Sequence, residues 1–269
     1  KLFLRLLANI SGNHHRTPNF FEKNEKIILS LKDQIKTIFS DSVIFDIFKN
    51  NKRILLILLE NNIIKINKYI FTIMSKQEFN KMFYSQYFTP ELKIYIDSQI
   101  KEGNNDKNFK YIKLLDQIPD NFEINRKNGE NEDYLCKVIQ RDEIEEFISI
   151  VNRENISLKN TIIKHSIFDT NEFLLNQNYT SIIEYAAFYG SIQIFQYLKY
   201  NDVKLHPYLW LYAIHSNNAE IIHHLEENEI ESFDMSYYDC LNESIKCHHN
   251  DIADYIQNFL LKEENKFDE

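Results

Sequence analysis

The stretch "SIIEYAAFYGSIQIFQYLK", Ser181 to Lys199, decides the fold. Tyr185-Ala186-Ala187 lead to Gly190, and Ile194-Phe195 and Leu198 follow it, so apolar residues recur at helical spacing on both sides of one glycine. This pattern reads as a helix, a tight turn and a second helix. A shift of 27 residues finds Tyr212-Ala213-Ile214, then Asn217, then Ile221-Ile222 and Leu225. A further shift of 31 finds Glu243-Ser244-Ile245, His248, Ile252-Ala253 and Ile256. The unit occurs three times.

Each slot has a physical reading. Ala186, Ala213 and Ser244 are small where the first helix of one unit lies against the next, because a larger side chain would hold the backbones apart. Gly190, Asn217 and His248 fall where the first helix ends, a position that favours positive φ and the residue types that tolerate it. The second helix buries Ile194, Phe195 and Leu198, or their counterparts, on an inner face. One such hairpin cannot close a core, whereas stacked copies can, so the recurrence predicts an all-α helical-repeat solenoid.

The run "SIIEYAAFYGSIQIFQYL" resembles the ankyrin repeat. That family's Leu-His-x-Ala-Ala, turn glycine and Ile-Val-x-x-Leu correspond to Ile183-Glu184-Tyr185-Ala186-Ala187, Gly190 and Ile194-Phe195-Gln196-Tyr197-Leu198. The likeness continues through the next two units and, more loosely, through Tyr134 to Val151, about half of the chain. A more particular likeness covers "NGENEDYLCKVIQRDEIEEFISIVNREN", "SIFDTNEFLL", "LWLYAIHSNNAEIIHHLEEN" and "ESIKCHHNDIADYI", with "YFTPELKIYI" at Tyr87 to Ile96 ahead of them. In that order they resemble a large ankyrin-containing family of parabasalid flagellate protists that carries a helical segment before its repeats. The resemblance implies an interaction protein with no assigned chemistry. The repeats here are 27 to 31 residues long, against about 33 in the family, and Thr180-Ser181 is the nearest remnant of the Thr-Pro that normally opens each one.

The first half reads as helices throughout. One spans Phe20 to Phe39, with Phe21, Ile28, Ile35 and Phe39 near one face; Val43 to Lys49 and Arg53 to Glu60 form a pair around Asn50-Asn51. Ile63 to Ser75, Glu78 to Tyr87, Glu91 to Ile100 after Thr89-Pro90, and Phe109 to Gln117 complete the set. Val43 to Leu59 fits the two-helix template loosely, equally as a degenerate repeat or a generic hairpin. The polar run Asp120 to Glu132, with Gly129, is the expected boundary between a helical N-terminal region at 1–128 and an ankyrin-like array at 129–269. Within the array, Asn131 to Gln140 and Asp142 to Arg153 read as a worn helix pair and Leu158 to Asn178 as an irregular connection.

Charge divides at the same place. Residues 1–129 hold 21 Lys and Arg against 14 Asp and Glu, a surplus of +7, while 130–269 hold 10 against 26, or -16, within a total of -9. A basic half can steer a chain onto an acidic partner. No run reaches the roughly 18 consecutive apolar residues of a spanning helix, so no membrane association is expected. The odd set Cys136, Cys240 and Cys247, without short paired spacing, fits a reducing compartment. The expected location is the cytoplasm, with the cytoskeleton or flagellum as the alternative; the first residue is Lys1, so a natural start upstream is expected.

Chemistry leaves little trace. The glycines at 12, 103, 129 and 190 are too far apart for a phosphate-cradling loop. His-Glu-x-x-His, calcium-loop and Gly-x-Ser-x-Gly patterns are missing, and Glu145-Glu146 and Glu226-Glu227 read as solvated helix faces. His215, His223-His224 and Cys247-His248-His249 are metal-ligand types, but His249 follows a turn residue where ankyrin repeats carry histidine for local hydrogen bonding. His14-His15 sits in a polar stretch. No metal, cofactor or catalytic residue is expected, and nucleic acid is not an expected partner, because the aromatics near Lys68, Lys81 and Lys110 fall at core spacing. The expected function is non-enzymatic protein binding or scaffolding through the repeats. Contacts are expected at Lys204, His206, Tyr208, Asp234, Tyr237 and Tyr238, in the loops Asp202 to Tyr208 and Glu229 to Tyr238. The alternative is a structural component that docks its basic half on tubulin or other axonemal proteins.

Overall fold

The computed structural model describes residues 1–13, 19–75, 83–104, 106, 109, 112–232 and 237–261. In chain order the helices are α1 (Leu2–Asn13), α2 (Phe20–Ser30), α3 (Lys32–Ile38), α4 (Asp41–Phe48), α5 (Lys52–Glu60), α6 (Lys68–Met74), α7 (Tyr84–Tyr87), α8 (Thr89–Lys101) and α9 (Phe122–Asn128). They continue as α10 (Tyr134–Gln140), α11 (Ile144–Glu154), α12 (Glu172–Asn176), α13 (Ile182–Tyr189), α14 (Ile192–Tyr200), α15 (Leu209–Ser216), α16 (Ala219–Glu227), α17 (Tyr238–Lys246) and α18 (Asn250–Tyr255), the last running into a π-helical turn at Ile256–Leu260. The fold is all-α apart from one short antiparallel ribbon, β1 (Ile162–Ile163) against β2 (Thr180–Ser181), in the register Ile162 to Ser181 and Ile163 to Thr180. Among the described residues no helix is long and apolar enough to cross a membrane.

The chain forms two units. The first is Lys1–Asn131 with His165–Asn176; the second is Glu132–Lys164 with Gln177–Glu269. The chain thus crosses three times, because the segment read as an irregular connection gives its apolar residues Phe168, Leu174 and Leu175 to the first unit.

In the first unit Ile44, Phe45 and Phe48 from α4 meet Ile54, Leu55 and Leu58 from α5 in one core with Tyr87, Phe88 and Leu92. Asn51 sets the start of α5 by accepting from the Ile54 amide at 3.0 Å, and Asn67 does the same for α6 through Ile70. Pro90 sits in the first turn of α8. Three expectations differ. The long helix at 20–39 breaks at Leu31, and beyond the break Ile35 is buried but Ile38 is exposed. The short helix expected to reach Gln117 does not form across 112–117, where side chains of α8 take the backbone: Thr89 Oγ1 accepts from Leu115 N at 3.1 Å, and Lys93 Nζ donates to Leu115 O at 2.9 Å. The polar run at 120–132 contains α9, because Phe122 and Arg126, one helical turn apart, are both buried. Residues 76–82, which include the first half of the helix expected at 78–87, lie outside the described residues, and its second half holds α7.

In the second unit the helices come as pairs, and the first helices stack in sequence: α10 against α13, α13 against α15, α15 against α17. Ala186, Ala213 and Ser244 are all fully buried in this row, and Ile194, Phe195 and Leu198 of α14 are fully buried behind it. The turn inside each pair repeats one conformation. Asp142, Gly190, Asn217 and His248 have φ of 55°, 74°, 54° and 55°. Following backbone amides close three of these turns: Glu143 N donates to Val138 O, Ser191 N to Ala186 O, and His249 N to Ser244 O. The side chain after each of the last three turns then reaches back to the preceding pair. Ser191 Oγ donates to Ile139 O, Asn218 Nδ2 to Gly190 O at 3.0 Å, and His249 Nδ1 to Ile214 O at 2.8 Å. His249 therefore makes a hydrogen bond, as expected of its position, but across to the preceding pair and not locally.

Ala213 lies in the middle of the stacked row, with no volume to spare. Ala213→Leu is expected to destabilise the chain by about 1–3 kcal/mol through overpacking, measured by urea denaturation. A neutral effect would mean that the helices are not in close contact there.

Candidate functional site

The loops that leave the paired helices enclose a groove of about 700 Å³. It is built wholly within the second unit, from residues 159–162, 177–184 and 202–212. Its inner wall is set by the start of α13. There Ser181 and Glu184 form a reciprocal cap: Glu184 Oε2 accepts from Ser181 N and Oγ, each at 2.6 Å, and Ser181 Oγ accepts from Glu184 N. The remaining oxygen, Glu184 Oε1, lies 3.5 Å from His206 Nε2. Tyr212 lines the groove from α15, and burial together with the Glu184 carboxylate pushes its hydroxyl pKa up. Around the rim stand Lys159, Lys204, Tyr179 at 67% exposure and Tyr208 at 46%.

Of the six residues singled out from the sequence, the structure brings Lys204, His206 and Tyr208 together on this groove. Tyr237 lies elsewhere: its ring packs edge-on against Trp210 with centroids 5.1 Å apart, and it lines a separate cleft of about 500 Å³ with Glu226, Tyr255 and Phe259. Tyr238 is exposed at the start of α17, and Asp234 lies outside the described residues, as do His14 and His15. The opposite wall, Lys159 to Ile162 and Gln177 to Tyr179, was not singled out from sequence. Its signal was the β-branched run Thr161-Ile162-Ile163, which pairs as β1 with Thr180-Ser181.

A second cluster joins α15 to α17. His215 is fully buried; its Nε2 lies 2.9 Å from Glu243 Oε1, while Cys247 Sγ lies 3.5 Å from its Nδ1 and 3.9 Å from its Nε2. Lys246 Nζ donates to Glu243 Oε2 at 2.9 Å. Burial alone would raise the Glu243 carboxyl pKa, but the hydrogen bonds from His215 and Lys246 outweigh it and hold the group at about 2. Burial pushes the Cys247 thiol up to about 12. The exposed His223 turns instead to Glu226 and Glu227 on its own helix, and His224 to Gln196.

A third cluster holds the first unit. Lys52 is fully buried; its Nζ donates to Ile167 O at 3.1 Å and lies 4.9 Å from the centre of the Tyr87 ring. Burial lowers its pKa from 10.5 to about 7 against the opposing pull of Asp169. Arg126, also buried, donates from Nη1 to both oxygens of Glu91, at 2.9 Å each, and from Nη2 to Glu123 Oε2 at 2.8 Å.

No family model, curated protein or solved structure matches the chain. What each cluster does is read from its own geometry. The Lys52 cluster is enclosed, and Lys52 Nζ and both terminal nitrogens of Arg126 are engaged, which fits a structural role, whereas the groove is open and its rim carries exposed aromatic and cationic side chains.

Two measurements follow from these geometries. Ser181→Ala removes the cap and is expected to cost about 1 kcal/mol in urea denaturation; an unchanged midpoint would dismiss the cap as the feature that sets the groove wall. For Lys52, the unfolded chain keeps its proton up to about 10.5 and the native chain only up to about 7. Between those values the unfolded state binds more protons, so native stability rises with pH. The stability of wild type relative to Lys52→Met is expected to increase from pH 7 to 10 by up to about 1.4 kcal/mol per pH unit. A difference independent of pH would show that Lys52 titrates normally.

Proposed function

We propose that the chain is a non-enzymatic binding module, an ankyrin-like array of helix pairs that holds a partner protein in the groove lined by Lys204, His206 and Tyr208. One observation carries this reading: segments from three parts of the second unit, 159–162, 177–184 and 202–212, converge on an open groove. Supporting it are the recurring left-handed turns and the stacked row of small residues, features expected of a helical-repeat solenoid. Loops on a rigid scaffold are where binding residues concentrate.

The groove's chemistry favours a class of partner. Glu184 is already satisfied by Ser181 and faces His206, so the rim cations Lys159 and Lys204 are available to an incoming carboxylate. Exposed Tyr179 and Tyr208 offer amphipathic ring surface to an apolar side chain beside it. A partner segment that pairs an acidic residue with an apolar one fits this rim.

The test uses two variants of the full chain, each tagged and recovered from native cell extract with quantitative mass spectrometry. One replaces Tyr179, Lys204, His206 and Tyr208 together by alanine; the control replaces Tyr200, which is 80% exposed and does not line the groove. The expected result is a partner retained by wild type and by the control and lost by the groove variant, with all three chains showing the same thermal midpoint. Retention by the groove variant would reject this face as the binding site.

A further inference from the structure

We infer that His215, Glu243 and Cys247 form a three-ligand site for a divalent zinc-class metal ion that bolts α15 to α17. The three residues come from two neighbouring stretches of the stacked row, and one ligand atom from each lies within 4.8 Å of the others. Tetrahedral zinc, with bonds of about 2.0–2.1 Å to nitrogen, 2.0–2.2 Å to carboxylate oxygen and 2.3 Å to sulfur, places nitrogen about 3.3 Å from oxygen and about 3.6 Å from sulfur. Here His215 Nε2 stands 2.9 Å from Glu243 Oε1 and 3.9 Å from Cys247 Sγ. Displacements of about 0.4 Å bring both separations onto the tetrahedral values, and the third, between Glu243 Oε1 and Cys247 Sγ and within 4.8 Å, has to reach about 3.6 Å.

The chemistry of the donors agrees with the geometry. Imidazole, thiolate and carboxylate are the three side-chain ligand types of zinc, and a dication balances the thiolate and the carboxylate in a buried setting. Coordination replaces the thiol hydrogen of Cys247, which leaves to solvent as a proton, and the hydrogen that His215 Nε2 donates to Glu243, which is exchanged through solvent for one on Nδ1 so that the ring stays neutral. The His215 ring is held in place by stacking on Phe188 at 5.3 Å between centroids, so the imidazole edge stays on α17. Glu243 keeps its second oxygen on Lys246, leaving Oε1 directed at the histidine. The site is independent of the groove and of the partner proposed for it.

The test is metal binding by the full chain under a thiol-protecting reductant that does not bind metal. Zinc is titrated by calorimetry, and cobalt(II) is titrated as a spectroscopic stand-in. Expected are a single tight equivalent, intense visible bands of tetrahedral cobalt, a near-ultraviolet sulfur-to-cobalt charge-transfer band, and a thermal midpoint that rises with zinc. Cys247→Ser is expected to lose the charge-transfer band, and Glu243→Gln to bind more weakly; both are conservative in shape, and circular dichroism checks their fold. Doubly replacing His223 and His224 by alanine is expected to leave the tight equivalent in place. Failure to bind a tight equivalent would overturn the proposal. So would binding that lacks the sulfur band, survives Cys247→Ser, or vanishes with His223 and His224.

Discussion

One backbone conformation, the left-handed residue that ends the first helix of each pair, fixes how the second unit is assembled. It appears at Asp142, Gly190, Asn217 and His248, and it turns the chain so that the residues after it face the previous pair. Ile139 O and Ile214 O, in the last turn of a first helix, each accept one amide of the turn, from Asp142 N at 3.0 Å and Asn217 N at 3.2 Å, and Gly190 O belongs to the turn itself. Ser191, Asn218 and His249 each add a side-chain donor to one of these carbonyls. Three different side chains thus do one job, each adding a bond worth about 0.5–1.5 kcal/mol net between one pair and the next. Asp142 serves the same junction with opposite polarity. Its carboxylate accepts from Gln193 N and Ile194 N, both at 3.0 Å, at the start of α14, where the helix carries unpaired amides and positive dipole charge.

The first unit solves a different problem, that of holding polar segments against a core. Its devices are cations that composition alone would place on the surface. Arg126 closes α9 onto Glu91 of α8, and Tyr87 returns a hydrogen bond to the Arg126 carbonyl at 3.0 Å. Lys52 ties the returning segment at Ile167, and Arg53 lies 3.6 Å over the ring of Phe21 while donating to Asn128 O at 3.2 Å. A buried ion pair is costly to break because it leaves a charge without compensation. These cations are committed inside the unit, which weakens the inference from a +7 surplus to an exposed surface made for an acidic lattice.

The legibility of the sequence followed the same physics. Turn positions and stacked small residues were readable because each demands a residue type that few others satisfy: positive φ at 190 and 217, no bulk at 186 and 213. Boundaries governed by long-range partners were not. The run 120–132 looks like a linker by polarity, and becomes a helix only because Arg126 meets Glu91, 35 residues away. The segment 165–176 leaves its neighbours in sequence because Phe168 meets Phe122, a contact no local period announces. For the sites, the loop 202–208 was legible by position in the repeat, whereas its facing wall needed the pairing of β1 with β2. Glu243 and Cys247 lie one helical turn apart at the end of α17, but His215 joins them only through the stacking of α15 on α17.

The two ends of the helix pairs carry separate duties. At the end where each pair turns, side-chain hydrogen bonds lock neighbour to neighbour and restrict the position after the turn to a donor. At the other end, Asn155, Asp202 and Glu229 also take left-handed conformations, with φ of 52°, 56° and 52°. The next amides close them: Ile156 N donates to Val151 O, Val203 N to Leu198 O and Ile230 N to Leu225 O. The loops beyond them therefore leave from fixed points and in fixed directions, yet their own residues take no part in the stacking row. Loop sequence is free to vary while the scaffold that aims it is held. A groove such as the one between 159–162 and 202–208 is the kind of site that this division permits, with a wall position set by α13 and a rim chemistry set by whatever the loops carry.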